Sequence, residues 1–261
     1  MTKLHAALLA CTTLALTTPA IAAPIAGLVG GSTLVMFDTN APSDVSMMEI
    51  TGAGPLVGID LRPSNNTLVG VTADGKIVTI DPTSGAATEL STLNTPLPSG
   101  DTPVIVDFNP MADRLRLMTG TTNHRVNVDT GEVTVDGSLA YVAEDMHVGE
   151  APMIAAAAYT NSFGKPEATA MYDIDTTIGA LIRQTAPNDG TLAAVGKLGV
   201  TLDDTTPAFD IQTTDDGTNT AWLVASGKIH TVDLETGMAT EVGTVDGIEG
   251  DLTDITVMPA M

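Results

Sequence analysis

Four aspartates recur at one place in a repeating strand pattern: Asp60 in GIDLRP, Asp107 in VDFNP, Asp210 in FDIQ and Asp254 in TDIT. Carboxylates are hard oxygen donors. Four of them at one level around an axis offer a site for Ca2+ or another cation, or for a polar ligand. Without a cation they repel, and water or local hydrogen-bond donors must compensate. The competing reading is structural, each aspartate bonding backbone or turn groups within its own repeat.

A second set is basic. Counting back from the turn residue Asp129, Arg125 falls in the slot held by Leu34, Ile77 and Ile229 in other repeats, and Asn127 in that of Met36, Thr79 and Thr231. Arg116, one strand earlier, matches Val69 and Trp222, and Asn123 closes the hairpin between the two arginines. A guanidinium in an apolar slot needs an anion, because burying a lone charge costs several kcal/mol or more. That anion is either internal (Asp107, Asp113 or an acid of the neighbouring repeat) or a ligand carboxylate or phosphate, which arginine grips by paired bonds. On the second reading Arg116, Asn123, Arg125 and Asn127 form a ligand site. Truncating Arg125 separates the two: a staple loses stability, a ligand site loses binding.

The connections 94–103, 140–152, 199–207 and 245–251 carry Asp101, Glu144, Asp145, Glu150, Asp203, Asp204, Asp246, Glu249 and Asp251, with no Lys or Arg. Long loops on a rigid scaffold often bind ligands. These have no EF-hand spacing, so solvated loops are the plainer account. Asp81, Asp129 and Asp233 are explained by their turns. His147 and Glu150 are too few for a metal site, and His230 falls in a slot of packed valines. There is no Gly-x-Ser-x-Gly elbow, no His-Glu-x-x-His pair and no phosphate loop.

The elements that must position these groups are short strands. Residues 104–108 are apolar and β-branched, Asn109-Pro110 breaks the run, and 114–118 alternate at period 2. A turn at 120–123 leads to a third strand at 125–128 and, after Asp129-Thr130-Gly131, a fourth from Glu132. The cycle recurs at 56–93 and 209–247, and more loosely at 153–198, where alanine near Ala158 replaces the aspartate. Residues 252–259 supply one first strand and 28–50 the last three. Repeats of this length that cannot bury both faces alone must stack. The prediction is an all-β, five-bladed propeller of four-stranded antiparallel blades. Its ring closes by pairing the C-terminal strand with the N-terminal strands.

Residues 1–22 read as a cleaved signal peptide: Lys3, an apolar run at 6–16, and Ala20-Ile21-Ala22 as the cleavage site. Residues 23–261 then form one domain, without cysteine. Lipid attachment at Cys11 is set aside because the preceding apolar run is short. The formal charge is −22; loss of Lys3 takes the basic count from 10 to 9 against 32 acids, giving −23. Such a surface repels nucleic acid and anionic membranes. No other stretch is long and apolar enough to span a bilayer.

The segments GIDLRP (58–63), VDFNPMADRLR (106–116), NHRVNVDTG (123–131), AAAYTNS (156–162) and PNDGTL (187–192) resemble the bacterial family DUF4394 over about residues 28–258. The resemblance implies an exported, propeller-like protein and supplies no catalytic residues. The chain departs from the family pattern at His124, Val126 and Val128-Asp129. The expectation is a periplasmic or secreted monomer, a non-catalytic module for a protein or small-molecule ligand. The alternative is a Ca2+-dependent hydrolase of lactones or esters with its metal in the central channel.

Overall fold

The computed structural model describes residues 22–97, 102–202 and 206–259. Residues 1–21, on which the expected signal peptide and Cys11 fall, and the loop acids Asp101, Asp203 and Asp204 lie outside the described residues. The rest forms five antiparallel sheets. Blade I combines Leu252–Val257 with Pro24–Val29, Thr33–Asp38 and Ala41–Glu49. Blade II is Leu56–Arg62, Thr67–Thr72, Lys76–Ile80 and Ala87–Thr92. Blade III is Val104–Asn109, Arg114–Thr119, Thr122–Asn127 and Glu132–Val135. Blade IV is Ile154–Tyr159, Met171–Asp175, Ala180–Ala186 and Thr191–Lys197; blade V is Ala208–Thr213, Asn219–Ala225, Lys228–Val232 and Ala239–Thr244. The first strand of each blade touches that of the next, all the way round the ring.

This is the predicted five-bladed propeller, closed as expected: Leu252–Val257 pairs antiparallel with Pro24–Val29. One strand escaped the pattern. Ala140–Tyr141 runs parallel to Thr191–Lys197 and adds a fifth strand to the outside of blade IV. A two-residue strand is too short to show periodicity.

The apolar residues gather in five clusters, each between two neighbouring blades. Strand alternation points one set of side chains at the preceding blade and the other at the following one. Both faces are therefore buried, and no blade has a core of its own.

Blades II to V also dock through the glycine that ends the turn before the fourth strand. A Cβ on Gly131 would lie 1.9 Å from the carbonyl oxygen of Thr92, one blade back, and Gly131 has φ +73°. Gly85 meets Glu49, Gly190 meets Gly137 and Gly237 meets Gly196 in the same way. Asp81, Asn127 and Asp233 begin the three best-matched turns, where Gly85, Gly131 and Gly237 donate N–H to their carbonyls. Gly131→Ala should lower the unfolding free energy by about 1–3 kcal/mol, measured by urea denaturation. An unchanged midpoint would refute docking at this position.

Candidate functional site

The register places Asp60, Asp107 and Asp210 opposite Val69, Arg116 and Trp222, one equivalent slot in blades II, III and V. Ala158 fills that slot in blade IV, opposite Tyr172. Blade I departs from expectation. Thr256, opposite Ala26, holds the slot, and Asp254 lies two residues earlier, opposite Leu28. The sequence match TDIT–GIDL was one pleat out of register. The ring at this level is three aspartates, an alanine and a threonine.

All four aspartates are buried or nearly so. Asp60, Asp107 and Asp210 bring carboxylate oxygens within 4.8 Å of one another. Asp60, Asp210 and Asp254 accept backbone N–H groups of their own blades, from Leu61, Ile211 and Ile255, as the structural account expects, and all four also reach the next blade. Asp60 accepts the Phe108 N–H at 2.6 Å, Asp107 that of Tyr159 at 2.9 Å, Asp210 that of Val257 at 2.6 Å and Asp254 that of Ile59 at 2.8 Å. Each carboxylate ties its innermost strand to the next. Thr256 Oγ1 donates to Asp60 at 2.8 Å and accepts the Leu61 N–H at 3.1 Å, so the threonine takes part in the same lacing.

Among the described residues, no basic side chain pairs with any of these aspartates. Burial, and then the neighbouring Asp210, hold the Asp60 carboxyl well above the usual range. Burial and then Asp60 do the same to Asp107, burial and then Asp60 and Asp210 raise Asp254, and burial pushes Asp210 to about 6.

A cavity of about 440 Å³ opens onto this level where the innermost strands end. Asp60, Asp210 and Thr256 stand in its wall, with Gln212, Thr213, Asn66 and Ser162, and the half-exposed ring of Phe163 at its edge. Gln212 Oε1 accepts the indole N–H of Trp222, the only tryptophan, at 3.3 Å. The opposite face carries the long acidic connections expected to bind ligands. There the cavity is about 190 Å³, lined by Ser226, Ile248, Gly250 and Asp251 among others. Among the described residues the loop acids do not converge as the axial aspartates do. Asp145 accepts the backbone N–H of His147 and of Ala194, and His147 Nδ1 lies 3.0 Å from Glu150.

The basic set is held internally. Arg116 is 1% exposed. It donates to Asp136 at 2.6 Å, Asn123 Oδ1 at 2.9 Å, Asn188 Oδ1 at 2.9 Å and the Tyr159 hydroxyl at 3.2 Å. Arg125 grips Asp136 with two bonds, at 2.6 and 3.0 Å. The anion is thus Asp136, from the end of the same blade. Asp107 laces the axis, and Asp113 pairs with Arg62 at 2.7 Å. Asn123 Nδ2 donates to the carbonyls of Gly137 and Pro187.

The slots shift as well. Arg125 lies opposite Arg116 as Thr79 lies opposite Val69, so Arg125 matches the half-buried Thr79, and Asn123 matches Ile77. Asn127, not Asp129, opens the turn, because Gly131 N–H closes on the Asn127 carbonyl. Asn127 Oδ1 accepts the Asp129 N–H at 3.1 Å. Arg116, Asn123 and Arg125 come together; Asn127 serves the turn.

The sequence matches the family described as "Domain of unknown function (DUF4394)" over residues 33–256. The chain belongs to DUF4394. No curated protein matches it. Among solved structures it is similar to a protein of unknown function from Bacteroides thetaiotaomicron, with 16% identity and a TM-score of 0.51, covering 90% of this chain and 64% of that one. It thus spans less than two-thirds of that relative. It is also similar to a chain of a nidogen/laminin complex, with 9% identity and a TM-score of 0.55, covering 91% of this chain and 98% of that one. These likenesses are of fold alone. The matched range 33–256 contains the whole Arg116 network, including Asn123, Asp136, Tyr159 and Asn188. Among the described residues no helix is long and apolar enough to cross a membrane.

Proposed function

We propose that this DUF4394 chain is an exported, non-catalytic binding module, a monomer in the periplasm or medium, that takes a small polar ligand into the axial cavity. The observation that carries the reading is the cavity of about 440 Å³ whose wall combines Asp60, Asp210, Thr256 and Gln212 with the ring of Phe163. Pockets that hold small molecules combine an apolar surface with a few placed polar groups. The leader 1–22 supports export.

Trp222 provides the readout through its bond to Gln212. Titration of the mature protein with a panel of amines, amino acids and sugars should give a saturable change in tryptophan fluorescence for at least one class. Phe163→Ala should weaken that ligand by about tenfold, the equivalent of about 1.4 kcal/mol. A flat response across the panel, or binding indifferent to Phe163, would count against this cavity.

The second reading, a metal-dependent hydrolase of lactones or esters, is supported by the three converging carboxylates. Turnover of an ester or lactone panel that EDTA abolishes would establish it in place of the first.

A further inference from the structure

We infer that the axial cavity takes a neutral mono- or disaccharide, which lays one face on the ring of Phe163 and presents hydroxyls to Gln212 and Asp210. This rests on the binding reading of that cavity and names its ligand class.

The first observation is which end of Gln212 is free. An indole N–H can only donate. The bond from Trp222 Nε1 at 3.3 Å therefore fixes the amide oxygen of Gln212 on the tryptophan. The two N–H groups of Gln212 Nε2 are left in the cavity wall, with no partner among the described residues. Asp210 stands two residues back on the same face of the strand, an acceptor beside that donor. Each oxygen of Asp210 already takes a backbone N–H, from Ile211 and from Val257, so a further hydroxyl donor suffices for it. A sugar hydroxyl both accepts and donates, so one such group answers the amide and the carboxylate together. An ammonium group only donates, and leaves the Gln212 N–H groups facing a cation. A carboxylate or phosphate only accepts, and the wall holds no lysine or arginine to meet it. The volume of about 440 Å³ lies within the usual small-molecule range of about 300–1,000 Å³.

The second observation is the aromatic arm. Of four phenylalanines, Phe37, Phe108 and Phe209 are buried, whereas Phe163 is 56% exposed at the edge of the cavity. Its connection, 160–170, is the longest between the first and second strands of any blade; the others are 30–32, 63–66, 110–113 and 214–218. The base of the arm is clamped to blade V. Asn161 N–H donates to Asn219 Oδ1 at 2.8 Å, Asn219 Nδ2 returns a bond to Asn161 Oδ1 at 2.9 Å, and Ser162 N–H donates to Thr213 Oγ1 at 2.9 Å. Asn161 Nδ2 also holds the carbonyl of Ala168, which folds the arm on itself. The ring is thus set in place before a ligand arrives, which lowers the cost of binding. An aromatic face is negative and attracts the polarised C–H bonds on the flat side of a sugar ring. It attracts cations too, and the Gln212 donors decide between the two.

The test titrates the mature chain, in EDTA, with glucose, galactose, mannose, maltose and cellobiose, and in parallel with ethanolamine, tetramethylammonium, acetate and inorganic phosphate. Titration calorimetry and Trp222 fluorescence read the binding. At least one sugar should saturate one site per chain with a Kd of about 1 mM or tighter, and the charged probes should not. Gln212→Glu keeps an acceptor for the Trp222 N–H and removes the two free donors. It should weaken the sugar by about tenfold, whereas a cationic ligand would bind it more tightly than the parent. Phe163→Ala should weaken the sugar by a similar factor, and Phe163→Tyr, which keeps the ring, should restore it. Should Gln212→Glu fail to fold, the contrast between Phe163→Ala and Phe163→Tyr carries the test, since that side chain is exposed. Binding of an amine with none of the sugars overturns the saccharide and keeps the cavity. Sugar binding that both Gln212→Glu and Phe163→Ala leave intact overturns it by placing the ligand elsewhere. No binding by any probe removes the saccharide and the cavity reading together.

Discussion

Arg116→Ala should lower the unfolding free energy by about 3–5 kcal/mol, the range for breaking a buried ion pair from one side. Four partners lose their donor together: Asp136, Asn123, Asn188 and the Tyr159 hydroxyl. All four belong to the wall between blades III and IV, and only at the exposed Asn188 does water have ready access to replace the lost bond. Asp136 retains both bonds from Arg125, so the penalty falls mainly on the neutral acceptors and on the cavity left by the side chain. Arg125→Ala should cost only about 1 kcal/mol, because a third of that side chain reaches solvent and Arg116 still neutralises Asp136. Equilibrium denaturation in urea reads both. Equal losses for the two variants would refute the assignment of Arg116 as the inner member. The pair should also be coupled: removing both arginines leaves Asp136, 5% exposed, without a cation, so the double variant should lose more than the sum of the singles.

Blade number, ring closure and the position of Asp60, Asp107 and Asp210 were legible in the sequence, because period-2 alternation and the turn residues repeat every blade. The need of Arg116 for an anion, internal or from a ligand, was also legible, since a charge stood where Val69 and Trp222 stand. The identity of that anion was not. Asp136 lies two residues beyond Thr134, the cross-strand partner of Arg125, and so on the same face. Alternation carried through the end of that strand would have found it. The register of the third strand was misread because Asp129 resembles a turn opener, whereas the ladder and the Gly131 N–H pick Asn127. Asp254 was misread for a similar reason: a one-pleat slip keeps a residue on the same face, so the pattern cannot detect it. The axial cavity was not legible, because it depends on how four blades end and not on any one of them.

Asp173 went unmarked in the sequence, and it should contribute strongly to the pH dependence of stability. It is fully buried in blade IV, and burial pushes its carboxyl up to about 8, with Asp175 adding to the rise and Gln184 and Arg116 opposing it. Gln184 Nε2 lies 2.9 and 3.2 Å from its two oxygens, while Gln184 Oε1 has no partner among the described residues. An unfolded aspartate titrates near pH 3.9. Between about pH 4 and 8 the folded chain therefore holds a proton here that the unfolded chain has released. Stability falls as pH rises through that window, by up to about 1.4 kcal/mol per unit from this group, and the penalty is complete above the folded value. Asp173→Asn removes the titration, and its amide can give Gln184 Oε1 an N–H while still accepting from Nε2. The variant should match the parent near pH 4 and exceed it by several kcal/mol at pH 8. Urea denaturation at pH 4.5, 6 and 8, in EDTA to hold the axial aspartates metal-free in both proteins, measures the difference. The other buried aspartates slope the same way in parent and variant, so the gap between the two curves isolates Asp173. Parallel curves would mean that this carboxyl titrates alike folded and unfolded, and that Arg116, not a proton, balances it.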